Sequence, residues 1–402
     1  MDQDQLFELA DTREGEKIIV FGVGGGGGNA LNHIIECGLE GVEFIAANTD
    51  NKALNVNKAK RKIRLGEKLT RGLGAGANPQ VGMDAAKESL DEIKEAIKGA
   101  DMLFVTAGMG GGTGTGAAPV IAEVARDMNI LVVAIVTLPF SFEMQKRFQT
   151  AQEGISRLRD NVDALLVVEN DKLLGLVNHE KLLLVDAYKL VDDVLLYAVQ
   201  GVTDLIIKTG FVNLDFADIK TVMSNAGTAI MGIGRGSGEN RAEEAARTAI
   251  KSPLMSVPME GARGILFNVT TGKDVTLMEM SKAAEVIRAT ADPKADVIWG
   301  HVIDEEMGED FRVTLIATGF PERSTPRSAP PPVPPHLERR VADTRNTRNP
   351  GNTITSIYAR RPEGAGPEET RLLIPHEEEP DIHGYPKELY DQPAIQRRRV
   401  RE

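Results

Sequence analysis

Three stretches of this 402-residue chain concentrate glycine beside small hydroxyl or amide residues: GVGGGGGNA (22–30), RGLGAGANP (71–79) and AGMGGGTGTGAAP (107–119). Glycine removes the Cβ that would keep a ligand away from the main chain. Where such a turn opens a helix, the first N–H groups are unpaired and carry partial positive charge. Several turns of this kind around one crevice suit a polyphosphate held by backbone amides. Gly22, Gly24 and Gly27 also satisfy G-x-G-x-x-G, which alone reads as a dinucleotide-binding unit and leaves an NAD(P)-dependent oxidoreductase open. That unit wants an acidic residue ending its second strand, and here the strand ends AANTD, with Asn48 and Thr49 ahead of Asp50. The sequence has no G-x-x-x-x-G-K-[ST], so no P-loop lysine meets the phosphates. Positive charge must then come from helix termini and from Mg²⁺ held through the phosphates rather than by a protein cage. None of the three stretches offers a general base. The nearest acids are Asp215 and Asp218 in NLDFADIK (213–220), whose spacing suits an N-cap and the third residue of a helix.

The elements that must position these residues follow from hydrophobic pattern. Between Lys17 and Val168, apolar runs (KIIVFGV, VEFIAANT, DMLFVTA, ILVVAIVTLPF, DALLVVEN) alternate with helical stretches such as DAAKESLDEIKEAIKGA and APVIAEVARDM. That order predicts an α/β domain with a parallel sheet covered on both faces, ligands sitting beyond the carboxyl ends of its strands. A long helix is expected over 186–210, with Leu190, Val191, Val194, Leu195, Ala198, Val202, Leu205 and Ile206 on one face and Gly210 closing it. A smaller α/β domain with a mixed sheet is expected next: helices DIKTVMSNAG, RAEEAARTAI and LMEMSKAAEVIRATA, and strands ARGILFNVTTG, DVIWGHVID and FRVTLIATG. From Pro321 the chain turns rich in Pro, Arg, Asn, Thr and Ser, which predicts a disordered linker, and apolar residues return before a basic cluster in YPKELYDQPAIQRRRVRE. The organisation read this way is a flexible segment at 1–15, a nucleotide-binding domain at 16–185, a central helix at 186–210, a second α/β domain at 211–320, a linker at 321–384 and a docking peptide at 385–402.

Composition narrows the function classes. A formal charge of −12 disfavours general nucleic-acid binding, which needs a basic face. The single cysteine, Cys37, rules out an internal disulfide, and no histidine spacing matches a zinc site, so no protein-held metal is expected. No apolar run approaches the ~20 residues of a membrane span. The acidic N-terminus lacks the order of a signal peptide, and the expectation is a cytoplasmic protein.

Taken in order, FGVGGGGGNA, GLGAGANP, AGMGGGTGTGAAP and NLDFADIKTVMS resemble the FtsZ family of bacterial tubulin-like cell-division GTPases over about residues 16–320. The resemblance implies GTP/GDP as ligand and a GTPase that polymerises head to tail into protofilaments of the division ring at mid-cell. It implies phosphate contacts from Gly25, Gly26, Gly27, Gly28 and Asn29, and approach to the γ-phosphate by Ala75, Gly76 and Ala77. From the other side the phosphates would be wrapped by Gly108, Gly111, Gly112, Thr113, Gly114, Thr115 and Gly116. Glu143 and Arg147 match ribose- and nucleotide-contacting positions, Asn170 lies near the base, Tyr188 stacks on guanine, and Asp193 accepts from guanine N1–H and N2–H. Asp215 and Asp218, with Asn213, would act on the nucleotide of the neighbouring subunit, giving catalysis that requires assembly. The last residues resemble the family's docking peptide for membrane tethers and division regulators. The chain departs from the family pattern at Met144, usually Gly, at Asp192, commonly Asn, and at Leu138, often basic. A nucleotide-binding filament that does not hydrolyse is the remaining alternative.

Overall fold

The computed structural model describes residues 15–176, 182–207, 215–255 and 257–320. The N-terminal segment, Gly210, Asn213, the linker and the terminal peptide named above lie outside these residues. Ten strands form one sheet in the order β3-β2-β1-β4-β5-β6-β7-β10-β8-β9. β1 (Ile18–Val23), β2 (Glu43–Asn48), β3 (Arg61–Arg64), β4 (Met102–Gly108), β5 (Leu131–Leu138) and β6 (Ala164–Glu169) are mutually parallel. The chain runs outward from β1 to β2 and β3, then crosses to β4 on the other side of β1. That reversal is a topological switch point, and it places a crevice beyond Val23 and Gly108.

β6 also pairs in parallel with β7 (Gly227–Gly236) from Ala164↔Gly227 to Leu166↔Ala229, joining the parallel part to a mixed part. There β7 and β8 (Gly264–Thr271) both run antiparallel to β10 (Phe311–Thr318), and β9 (Asp296–Ile303) is parallel to β8.

Side-chain alternation sends neighbouring residues of one strand to opposite cores. Ile18 and Val20 of β1 pack with Leu31 and Ile34 of α1 (Gly24–Glu36) and Val194 and Leu195 of α9 (Leu184–Ile207). Ile19, Phe21 and Val23 pack on the other face, with Ala85 of α4 (Pro79–Glu88), Ile93 of α5 (Leu90–Ile97), Ile121 of α6 (Thr113–Asp127) and Ile155 of α7 (Gln145–Arg159). Burial on both faces explains the unbroken apolar runs of these strands. A third core joins Phe267 of β8 and Leu315 of β10 to Ala245 of α11 (Arg241–Ile250) and Ile287 of α12 (Leu277–Thr290). Helix α9, 24 residues and about 36 Å long, shares a core with Leu166 of β6, Met231 of β7 and Ile316 of β10, so it spans the join.

Several elements differ from the pattern reading. The glycine run expected as a loop is the start of α1 itself. The helix expected over 84–100 breaks at Ser89, whose hydroxyl accepts from the Gly66 N–H and donates to the Arg64 carbonyl. β3 has one buried apolar residue, Ile63, among charges, as befits an edge strand. The helix expected to reach Gly227 is α10 (Phe216–Met223), which stops before Asn225 (φ 51°) and Gly227 (φ 68°) turn the chain into β7. β7 escaped the pattern because of its glycines, and these have a packing reason. A Cβ on Gly232, Gly234 or Gly236 would run into the carbonyl oxygens of Ala249, Ala245 and Arg241, so α11 lies with its backbone directly on the strand.

One backbone position is strained. Met144 sits at φ 77°, ψ 152°, a region that L side chains rarely enter, between the helical turn Ser141–Glu143 and α7. Conformations of this kind cost about 1–3 kcal/mol, so glycine, despite its own entropic cost of about 0.5–1 kcal/mol, is the better residue here. Met144→Gly is expected to raise unfolding free energy by about 1 kcal/mol in urea titration, and a loss of stability would show that the position is not strained. Gly234→Ala is expected to lower it by about 1–3 kcal/mol in the same titration, because α11 has to lift from β7; an unchanged midpoint would contradict the close packing.

Candidate functional site

The crevice at the switch point is walled by two helix starts that carry no polar cap and no acid in the first turn. α1 begins at Gly24 behind Val23, and α6 begins at Thr113 behind Gly112. Three glycines of the run are explained by packing. A Cβ on Gly24 (φ 73°) would stand 2.8 Å from the Gly114 nitrogen, and one on Gly26 would stand 3.0 Å from Gly108 Cα. One on Gly27 would collide with the Thr106 carbonyl. Gly28 is half-buried and its carbonyl accepts from Asn57 Nδ2 at 2.9 Å, while Asn29 is exposed. Gly25 is exposed and a Cβ there would meet nothing within 4 Å.

The second stretch repeats this division of labour. The buried Thr115 hydroxyl accepts from the Gly110 N–H at 2.9 Å, and the Thr113 and Thr49 hydroxyls are 2.6 Å apart. Cβ atoms on Gly112, Gly114 and Gly116 would crowd Ala75 Cβ, the Gly108 carbonyl and the Pro79 carbonyl. Gly108 itself lies against Gly26, and Gly111 faces open space. In the third stretch Ala75 is buried, while Gly76 and Ala77 are exposed and both left-handed at φ 57°. Gly76 again has nothing within 4 Å of a Cβ. Each stretch therefore contributes one glycine, Gly25, Gly76 and Gly111, that leaves room for something not made of this chain.

A second group of expected residues gathers at the start of α9 and the carboxyl ends of β5 and β6. Glu143 accepts from the Phe140 N–H at 3.1 Å and pairs with Arg147 at 2.5 Å. Tyr188 makes an edge contact with Phe140 at 5.4 Å, and Phe140 stacks on Phe142 at 5.1 Å. Burial, with the Glu143 charge beside it, pushes the Tyr188 hydroxyl up. Asn170, just past β6, is buried with its Oδ1 unpartnered, an acceptor waiting for a donor. Asp193 Oδ1 lies 2.7 Å from His33 Nε2 on α1. Pattern reading missed His33, although it lies four residues after Asn29 and so on the same face of α1. Asp192 is pushed up to about 6 by burial, with His33 opposing and Asp193 adding to that shift.

Asp215 and Asp218 are not brought to this crevice within one chain. Asp215 caps α10 and accepts from the Asp218 N–H at 2.9 Å, the capping geometry expected from their spacing. α9 starts near Phe140, beyond the carboxyl end of β5, and finishes with Ile207 against Gly41, ahead of β2. After α10, the Asn225 N–H donates to Asp163 at the amino end of β6. Both flanks of the acidic segment are thus anchored at the amino ends of the strands, across the sheet from the glycines.

Open glycines, uncapped helix starts and an orphan acceptor fit an anionic ligand with a hydrogen-bonding head. Among the described residues no group of three or more His, Cys, Asp or Glu could hold a metal ion. No helix among them is long and apolar enough to cross a membrane.

A model of the Tubulin/FtsZ family, GTPase domain, matches residues 17–178, and one of the FtsZ family, C-terminal domain, matches residues 227–321. A solved FtsZ dimer from M. jannaschii, in an empty state, is 47% identical with a TM-score of 0.73, the alignment covering 76% of this chain and 88% of that one. CetZ1 from Haloferax volcanii, a GDP-bound monomer, gives a TM-score of 0.66 at 21% identity over 76% of this chain and 95% of that one, a likeness of fold alone. Two domain models in the right order and 47% identity across most of a solved relative leave one assignment: the chain has the tubulin-like α/β fold and belongs to the FtsZ family.

Proposed function

We propose that this chain binds GTP in the switch-point crevice and hydrolyses it only when a second copy supplies the acidic segment, assembling head to tail as it does so. The observation that carries the reading is the separation described above: the open glycines and the pair Asp215 and Asp218 stand at opposite ends of the strands. A site completed by the far end of an identical chain is a heterologous contact, and such contacts propagate into filaments. Leu73, Phe142 and Leu184, 84%, 54% and 59% exposed, belong to the segments that frame the crevice and give an arriving copy apolar surface to cover.

In this reading the first-turn amides of α1 and α6, with the main chain at Gly25, Gly76 and Gly111, hold the phosphates. Asn29, Ala75, Ala77, Thr113 and Thr115 shape that cradle. Glu143 and Arg147 flank the ribose, Tyr188 stacks on the base, and Asn170 and Asp193 read its edge. Mg²⁺ bound through the phosphates and water would neutralise charge on the transferring group. Asp215 and Asp218, with Asn213, position and polarise the attacking water from the neighbouring copy. The 321–384 segment then acts as a tether, and 385–402 as the peptide that meets membrane anchors and division regulators, in the cytoplasm at mid-cell.

A mixing experiment tests the shared site. Gly111→Val fills open space, so it should melt like the parent yet lose GTP binding; Asp218→Ala should keep GTP binding and lose roughly 10²–10⁴-fold in phosphate release. Mixed one to one, the two inactive variants should regain turnover, since random assembly pairs an intact cradle with an intact acid at about a quarter of the contacts. Activity no greater than the sum of the separate variants would overturn the shared site. Undiminished turnover by Asp218→Ala alone would remove the acid from the mechanism.

A further inference from the structure

His33 is the only side chain among the described residues that hydrogen-bonds to the Asp193 carboxylate, and it reaches across from another helix to do so. Its Nε2 lies 2.7 Å from Oδ1, with side-chain exposures of 23% for His33 and 38% for Asp193. Cys37 Sγ lies 3.8 Å from the same nitrogen, and because an ionised carboxylate can only accept, Nε2 is the donor to Asp193. With Nε2 donating, the hydrogen bond engages one lone pair of Oδ1 and leaves Oδ2 and the second lone pair free. A carboxylate tied at one oxygen to a side chain of a different element cannot turn freely about its last bond. Two acceptor oxygens fixed in one plane match a ligand edge with two adjacent N–H donors.

We propose that His33 is a positioning residue for base recognition: by holding Oδ1 it sets the plane in which both oxygens of Asp193 accept from guanine N1–H and N2–H. The inference rests on the nucleotide reading above and adds to it the source of guanine selectivity. Around the pair stand Glu36 at the end of α1 and Cys37 just past it, Lys58 bonded to Glu36, and Lys189 and Asp192 on α9. Asp192 has no hydrogen available for Asp193 when ionised, and the two lysines act on Glu36, which leaves the positioning to the imidazole.

The test uses GDP and inosine diphosphate, which lacks the N2 amine, titrated calorimetrically into the full chain. The parent should prefer GDP. His33→Ala should bind GDP about tenfold more weakly, as expected for loss of one charge-assisted hydrogen bond, and should lose most of its preference over inosine diphosphate. His33→Gln, which can donate from a similar reach, should restore both, whereas a general packing defect would not be rescued by that change. His33→Met fills the space without a donor and takes the place of the alanine variant if that one unfolds. A His33→Ala or His33→Met protein that melts like the parent and keeps the full GDP preference overturns the proposal. Asp193→Ala separates the two levels: if it too retains the preference, the base reading is wrong, whereas loss there with retention in the His33 variants removes His33 alone.

Discussion

The contact between the first turn of α1 and the end of β4 holds the rest in place. Main chain lies on main chain there, with Gly27 against the Thr106 carbonyl, Gly26 against Gly108 and Gly24 against the start of α6. Any side chain at these positions would push the two helix starts apart and widen the crevice between them. The entropic cost of a glycine run is therefore spent mostly on letting two segments of this chain meet, and only Gly25 is left over for a ligand. Close internal packing and open space draw on the same residue type, and the run is long enough to supply both.

α9 carries this local arrangement to the whole molecule. Its first turns bring Tyr188 to Phe140 and Asp193 to His33 of α1, its middle fills one face of the parallel sheet, and Gly201 allows it close to Thr314 of β10. A displacement at the crevice end has no compliant layer to dissipate in before it reaches the mixed part of the sheet. Interiors packed this tightly shift as units.

Much of this was legible in the residues themselves. Continuous apolar runs between helical stretches identified the strands of the parallel part, and a glycine-rich turn after each of two strands located the crevice. What escaped did so for physical reasons. β3 and β7 lack the usual apolar signal, one because it is a charged edge and the other because its glycines make way for the backbone of α11. Which glycines face a ligand cannot be read from spacing, since a Cβ clash depends on segments distant in sequence. His33 gave no sign as a lone histidine in a helix, and its meaning comes from α9, 160 residues away. Met144 was visible as a departure from the family pattern, but only its positive φ shows why glycine suits the place.

The join between the two parts of the sheet has a mechanical side. Parallel pairing of β6 with β7 covers three residues, against six for β5 with β6 and seven for β7 with β10. Tension applied at the far ends of the molecule passes through a seam with fewer rungs than its neighbours. α9 lies across it like a splint, its apolar face sharing one core with Leu166 of β6, Met231 of β7 and Ile316 of β10, so side-chain packing more than the β6–β7 hydrogen bonds ties the two parts of the sheet together.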